Sequence, residues 1–185
     1  MPVRAFALVV AIVALVSACG DGGGDPHAEH LYNAYRTAED QRTEAESRLR
    51  QAFSDISLAA SQEDRAGVLA AANRGRDAAA EIDRLFSAEL EAANGLSRIE
   101  TVAAEGKRLA KGIELTRHGL DLEAKELDIA LKDPFLATRA DEVRKLARQS
   151  TNLAVRGELA VRRADRAIAT ALGLEPRADQ LATTG

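Results

Sequence analysis

The chain has 185 residues, of which 46% are hydrophobic and 29% charged, and its 25 Lys and Arg against 29 Asp and Glu give a formal net charge of −4. Aromatics are only 3%, with no Trp, one Cys and three His, so the basic stripe and stacking rings of a nucleic-acid binder are missing and most nucleophile and metal chemistries lack their raw material. Alanine, leucine, arginine and glutamate dominate, a helix-former's composition in a length that suits one compact domain.

The chain opens on a short basic start, Met1 to Arg4, followed by an uninterrupted apolar and small run over residues 5–18. A helix of that length reaches about 21 Å, short of the roughly 30 Å hydrocarbon core, so the run reads as a secretory signal and not as a spanning helix. It ends in Leu15-Val16-Ser17-Ala18-Cys19, which resembles the lipobox of bacterial lipoproteins. The resemblance covers the leader alone. It implies a signal peptide over 1–18 and a Cys19 that carries acyl chains such as palmitate. The mature protein is then a lipid-anchored membrane protein on the extracytoplasmic side of the bacterial cell envelope, and the acylated cysteine leaves no thiol for a disulfide. Residues 19–26, rich in Gly and Asp, read as the lipidated Cys and a flexible tether.

From Leu31 an apolar or small residue recurs at alternating spacings of four and three: Leu31, Tyr35, Ala38, Arg42, Ala45, Leu49, Ala52, Ile56, Ala59. Arg42 alone breaks the series, which is the heptad seam of a long helix packed in coiled-coil fashion. Ser61 with Asp64 reads as a capping box that starts a second helix, whose seam runs from Val68 to Ala93 and carries Glu89. Asn94-Gly95 reads as a stop, and Ser97 with Glu100 as the next start. The third seam, from Ile99 to Leu131, contains Arg117; Asp133-Pro134 reads as an N-cap with proline at the first helical position. The fourth seam, from Leu136 to Ala171, contains Ser150, and Gly173 ends it.

Helices are thus expected over 27–60, 62–94, 97–132 and 134–172. Matched lengths and short connections predict an all-α, antiparallel up-down-up-down four-helix bundle over 27–173 with coiled-coil-like heptad packing, followed by a disordered tail over 174–185. The alternative, helices two and three joined as one rod of a dimeric coiled coil, runs against the paired stop and start signals. Alanine and glycine at many seam positions bring helices close and predict little enclosed volume along the axis.

Pairing the first two seams end to end, with Ala59 opposite Val68, lets Arg42 and Glu89 meet as a buried polar pair. The same register puts Arg117 in a layer with Ser150. Unpartnered buried charge is costly, so paired placement is the coherent outcome. His27 and His30, three apart, are weak metal candidates because two ligands do not close a site. His118 is another, within the stripe Glu114, His118, Asp121, which reads as a solvated charge ladder. No Glu stands three residues before a His, so the carboxylate-bridged di-iron pattern is missing.

The basic side of helix four, with Arg144, Lys145, Arg148, Arg162, Arg163 and Arg166, either complements the acidic second helix or faces an acidic partner. Phe135, at the turn farthest from the tether, either plugs the bundle end or contacts a partner there. No catalytic residue, cofactor or resident metal is expected. The expected function is that of a non-enzymatic structural or interaction lipoprotein, its partners being the membrane through the lipid and an envelope protein or cell-wall polymer, with no nucleic acid. The alternative is an extracytoplasmic binding or sensor bundle for a metal ion or small ligand.

Overall fold

The computed structural model describes residues 25–176; Cys19, most of the tether and most of the tail lie outside them. The chain is an all-α four-helix bundle: α1 (Pro26–Ser61), α2 (Arg65–Leu96), a 3₁₀ turn (Glu100–Val102), α3 (Ala103–Lys132) and α4 (Ala140–Ala171). With 30 to 36 residues apiece, the helices run about 45–54 Å. Among the described residues no helix is long and apolar enough to cross a membrane.

Each boundary has a local cause. Asp25 caps α1, its carboxylate accepting the amides of His27 and Ala28, with Pro26 at the first position where no amide is needed. The expected start at Ser61 moves to Arg65: Ser61 stays in α1 and bonds back to the Leu58 carbonyl, while Asp64 is the cap of α2 and accepts the Gly67 amide. Between them the Glu63 amide reaches Ala60 and the Asp64 amide reaches Ala59, a Schellman closure with Glu63 at φ 55° where glycine is usual. The expected stop at Asn94-Gly95 is corrected as well. α2 runs through Gly95 to Leu96, because a Cβ on Gly95 would lie 2.8 Å from Leu31 Cδ1 and the glycine serves packing, not termination. Ser97 is the C-cap of α2, its Oγ donating to the Asn94 carbonyl, and it caps no following helix, so α3 starts at Ala103 after the 3₁₀ turn.

Helix four likewise starts later than expected. Asp133 closes α3, and its carboxylate accepts the Ala137 and Thr138 amides at 3.1 and 3.0 Å, organising the loop before Ala140. These hydrogen bonds, Thr138's first among them, hold the Asp133 carboxyl below its ordinary range. The loop leaves Phe135 46% exposed, so the ring stands outward and does not plug the bundle end. At the other end Gly173, φ 69°, closes α4 in a second Schellman motif, and Leu174 folds back on the core.

The helices pack as two tight hairpins joined along α2 and α3. α1 lies along α2, and α3 along α4, while α1 and α4 barely approach. Glycines allow the closeness: a Cβ on Gly157 would fall 2.2 Å from Thr116 Oγ1 and 2.7 Å from Thr116 N, and one on Gly112 would fall 2.9 Å from Val161 N. In the first hairpin Ala52 faces Gly75, the end-to-end register read from the seams. Arg117 does not pair with Ser150: it reaches Asp83 of α2 at 2.7 Å, while the Ser150 hydroxyl bonds to the Ala147 carbonyl. The reason is that α3 buries two faces. Its heptad stripe toward α4 is Gly112, Gly119 and Glu126, off the seam that contains Arg117.

Gly157→Ala drives a methyl group into the backbone of α3, and overpacking of this kind costs about 1–3 kcal/mol. At roughly 2–4 °C per kcal/mol for a chain of this size, melting followed by circular dichroism should fall several degrees. Ser54→Ala, at an exposed helical position, should leave it unchanged.

Candidate functional site

The side left open between α1 and α4 forms a cleft of about 610 Å³, which lies at the flank of the bundle and not along its axis. Small residues close the α1–α2 and α3–α4 interfaces; the α1–α4 side is spanned by long polar side chains. Tyr32 of α1 donates its hydroxyl to Asp165 Oδ1 of α4 at 2.7 Å, tying the edge near one end. A second hollow of about 200 Å³ continues the groove toward the α1–α2 turn and shares Glu46, Phe86, Thr116 and Glu158 with the first.

The floor is the polar pair read from the seams. Arg42 Nε donates to Glu89 Oε1 at 2.7 Å, a second guanidinium nitrogen donates to Glu46 one turn along α1, and the guanidinium carbon stands 4.8 Å over the Phe86 ring. Glu89 is 0% exposed, and its second oxygen, Oε2, has no hydrogen-bond partner among the described residues. Burial pushes the Glu89 carboxyl up to about 7, against the pull of Arg42. Burial also opposes the charge on Arg42, but Glu89 and Glu46 outweigh it and hold the guanidinium above its ordinary pKa. Beside the pair, the Tyr35 hydroxyl is buried without a hydrogen-bond partner among the described residues, and burial, reinforced by Glu39, Asp165 and Glu89, pushes its pKa well up.

The remaining candidates stand apart from this cleft. His27 and His30 are exposed at the start of α1, and His118, 70% exposed at its side chain, lies 3.7 Å from Asp121 on the surface. No group of three His, Cys, Asp or Glu converges on a metal position among the described residues. On α4, Arg162 pairs with Glu158 and Arg144 with Asp141, so part of the basic side is answered within its own helix. Sequence reasoning missed Tyr32 and Asp165, which sit one position off their seams, and the α1–α4 opening they bridge. It also missed Glu126 on the α4-facing stripe of α3. Its Oε1 is buried without a hydrogen-bond partner among the described residues, and burial, with Glu123 adding, pushes its carboxyl up to about 7.

Because Glu89 has a raised folded pKa, its carboxyl is neutral and unpenalised below the ordinary 4.5, and stability is lost as pH rises through about 7. Arg42→Met removes the partner of the ionised form. At about pH 8 it should cost roughly 3–5 kcal/mol, the usual loss when a buried pair is broken. At about pH 5 the loss should shrink, since the stranded acid takes up a proton. Urea denaturation of both proteins at the two pH values checks this.

Comparison with protein-family models, curated proteins and solved structures finds no match to the chain, so the functional reading rests on the cleft's own geometry.

Proposed function

We propose that the chain is a lipid-anchored protein of the bacterial cell envelope, held through Cys19 on the extracytoplasmic side of a membrane, and that its bundle is a non-enzymatic binding module acting through the α1–α4 cleft. The anchor rests on the lipobox-like run ending at Cys19, which lies outside the described residues. The observation that carries the binding role is the cleft itself, an opening of about 610 Å³ floored by a buried ion pair. Concave sites of this size with a few convergent polar groups are the usual form of small-ligand sites. Of the two ligand classes read from the sequence, the cleft supports the small ligand, since the candidate histidines do not converge with other ligands among the described residues.

Phe135 and Leu58, 46% and 59% exposed at the same end of the bundle, favour a second role for that tip as a contact for an envelope protein or wall polymer. The two roles use different surfaces.

Two experiments test the reading. Cys19→Ser should leave an unprocessed precursor that takes up no labelled fatty acid in cells; continued acylation refutes the anchor. A panel of small polar compounds should contain some that raise the melting temperature of the wild-type chain. Thr43→Trp, which places a large ring on the exposed rim of the cleft, should abolish that rise. A panel without effect, or an effect that survives Thr43→Trp, refutes the cleft as the site.

A further inference from the structure

The charge balance of the cleft narrows what it holds, on the footing that it is the binding site proposed above. Six carboxylates line it, Glu39, Asp40, Glu46, Glu89, Glu158 and Asp165, against three arginines, Arg42, Arg162 and Arg166. Such an excess repels anions and draws cations. Four internal ties are already made, Arg42 to Glu46, Arg42 to Glu89, Arg162 to Glu158 and Tyr32 to Asp165, and Glu39, Asp40 and Arg166 are engaged as well. After them Glu89 Oε2 still lacks a donor among the described residues, although the residue is wholly buried. A desolvated carboxylate oxygen is satisfied best by a charged N–H donor.

The shape of the groove adds a second restriction. Phe86, Ile113 and Val161 stand between the acids, and the groove continues past Leu49, Phe53 and Leu120 to one more acid, Glu123, which has Arg50 near it. From Glu39 to Phe53 along α1 this covers about 21 Å at the helical rise. A narrow groove with acids spaced between apolar stretches suits a flexible chain whose positive groups are spaced between methylenes. A metal ion needs several ligands converging on one point, and no such group is present among the described residues.

We propose that the α1–α4 cleft binds a linear aliphatic polyamine, its ammonium groups donating to the cleft carboxylates, Glu89 among them, and its methylenes lying along the stretches between those acids.

Spermidine is the probe, titrated by calorimetry into the full chain in detergent at low ionic strength. The expected result is one site with a Kd below about 100 μM, weakened about tenfold or more by Glu89→Gln and by Glu158→Gln. Glu158 is exposed on the rim, so its variant keeps the test valid should Glu89→Gln fail to fold. Both tyrosines of the protein lie buried at one end of the cleft, and their fluorescence should change with the same midpoint. Glu114→Gln with Asp121→Asn, on exposed positions of α3, should leave binding unchanged. Absence of binding overturns the proposal, as does equal weakening by the α3 variant or displacement by Mg²⁺ at matched ionic strength, since those signal diffuse attraction. If spermidine fails while a neutral or anionic compound gives a melting shift that Thr43→Trp erases, the polyamine falls and the cleft remains the site. If no compound does so, both readings fall.

Discussion

Everything in this bundle follows from how closely its helices approach, and that is set by side chains too small to hold them apart. Gly112, Gly119 and Gly157 put the backbone of α3 against that of α4, and alanines with Gly75 do the same for α1 and α2. Close approach of this kind gains dispersion contact along two whole helices, but it is available only where both faces are small. α2 and α3 each spend two faces on neighbours. α1 and α4, at the ends of the chain order, are left with polar residues facing one another, and the fourth edge stays open.

The open edge explains why charged groups tolerate the bundle interior. Arg42 lies at mid-height of α1, where a closed four-helix core would demand an apolar side chain. Here its guanidinium has Phe86 beneath it, Glu89 on one side and Glu46 on the other. Such a buried pair adds little net stability over an apolar core of equal volume, because desolvation offsets the Coulomb attraction. What it does specify is register, since a slip of α1 against α2 would strand both charges. The same pair sets the chemistry of the cleft floor, so the feature that aligns the first hairpin also gives the proposed site its polarity.

Glu126 shows the contrast. It stands one heptad beyond Gly119 on α3, and among the described residues no guanidinium acts on it. Its carboxyl is pushed up to about 7 by burial and by Glu123, with no cation to oppose the shift. The α3–α4 hairpin therefore carries an uncompensated acid near its far end, close to the loop that Asp133 organises and that turns Phe135 outward. The half of α4 beyond Ser150 toward that loop is only partly covered, which agrees with small residues giving way there to an acid.

Helix content, helix number and the register of the first hairpin were legible in the residues alone, because heptad spacing over many turns specifies one buried stripe and leaves few ways to bury it. Arg42 and Glu89 were legible for the same reason: two charges interrupting facing apolar seams have one economical arrangement. Helix ends were read less well. Ser61, Gly95, Ser97 and Asp133 all have the chemistry of caps, and which of them acts as one depends on neighbours distant in sequence, as Leu31 packed on Gly95 shows. The cleft was not legible at all, because a heptad pattern states which face of a helix is buried but not how many neighbours share that face. Only the tertiary structure decided that α2 and α3 bury two faces each while α1 and α4 bury one, since that choice depends on backbone distances set jointly by glycines on different helices.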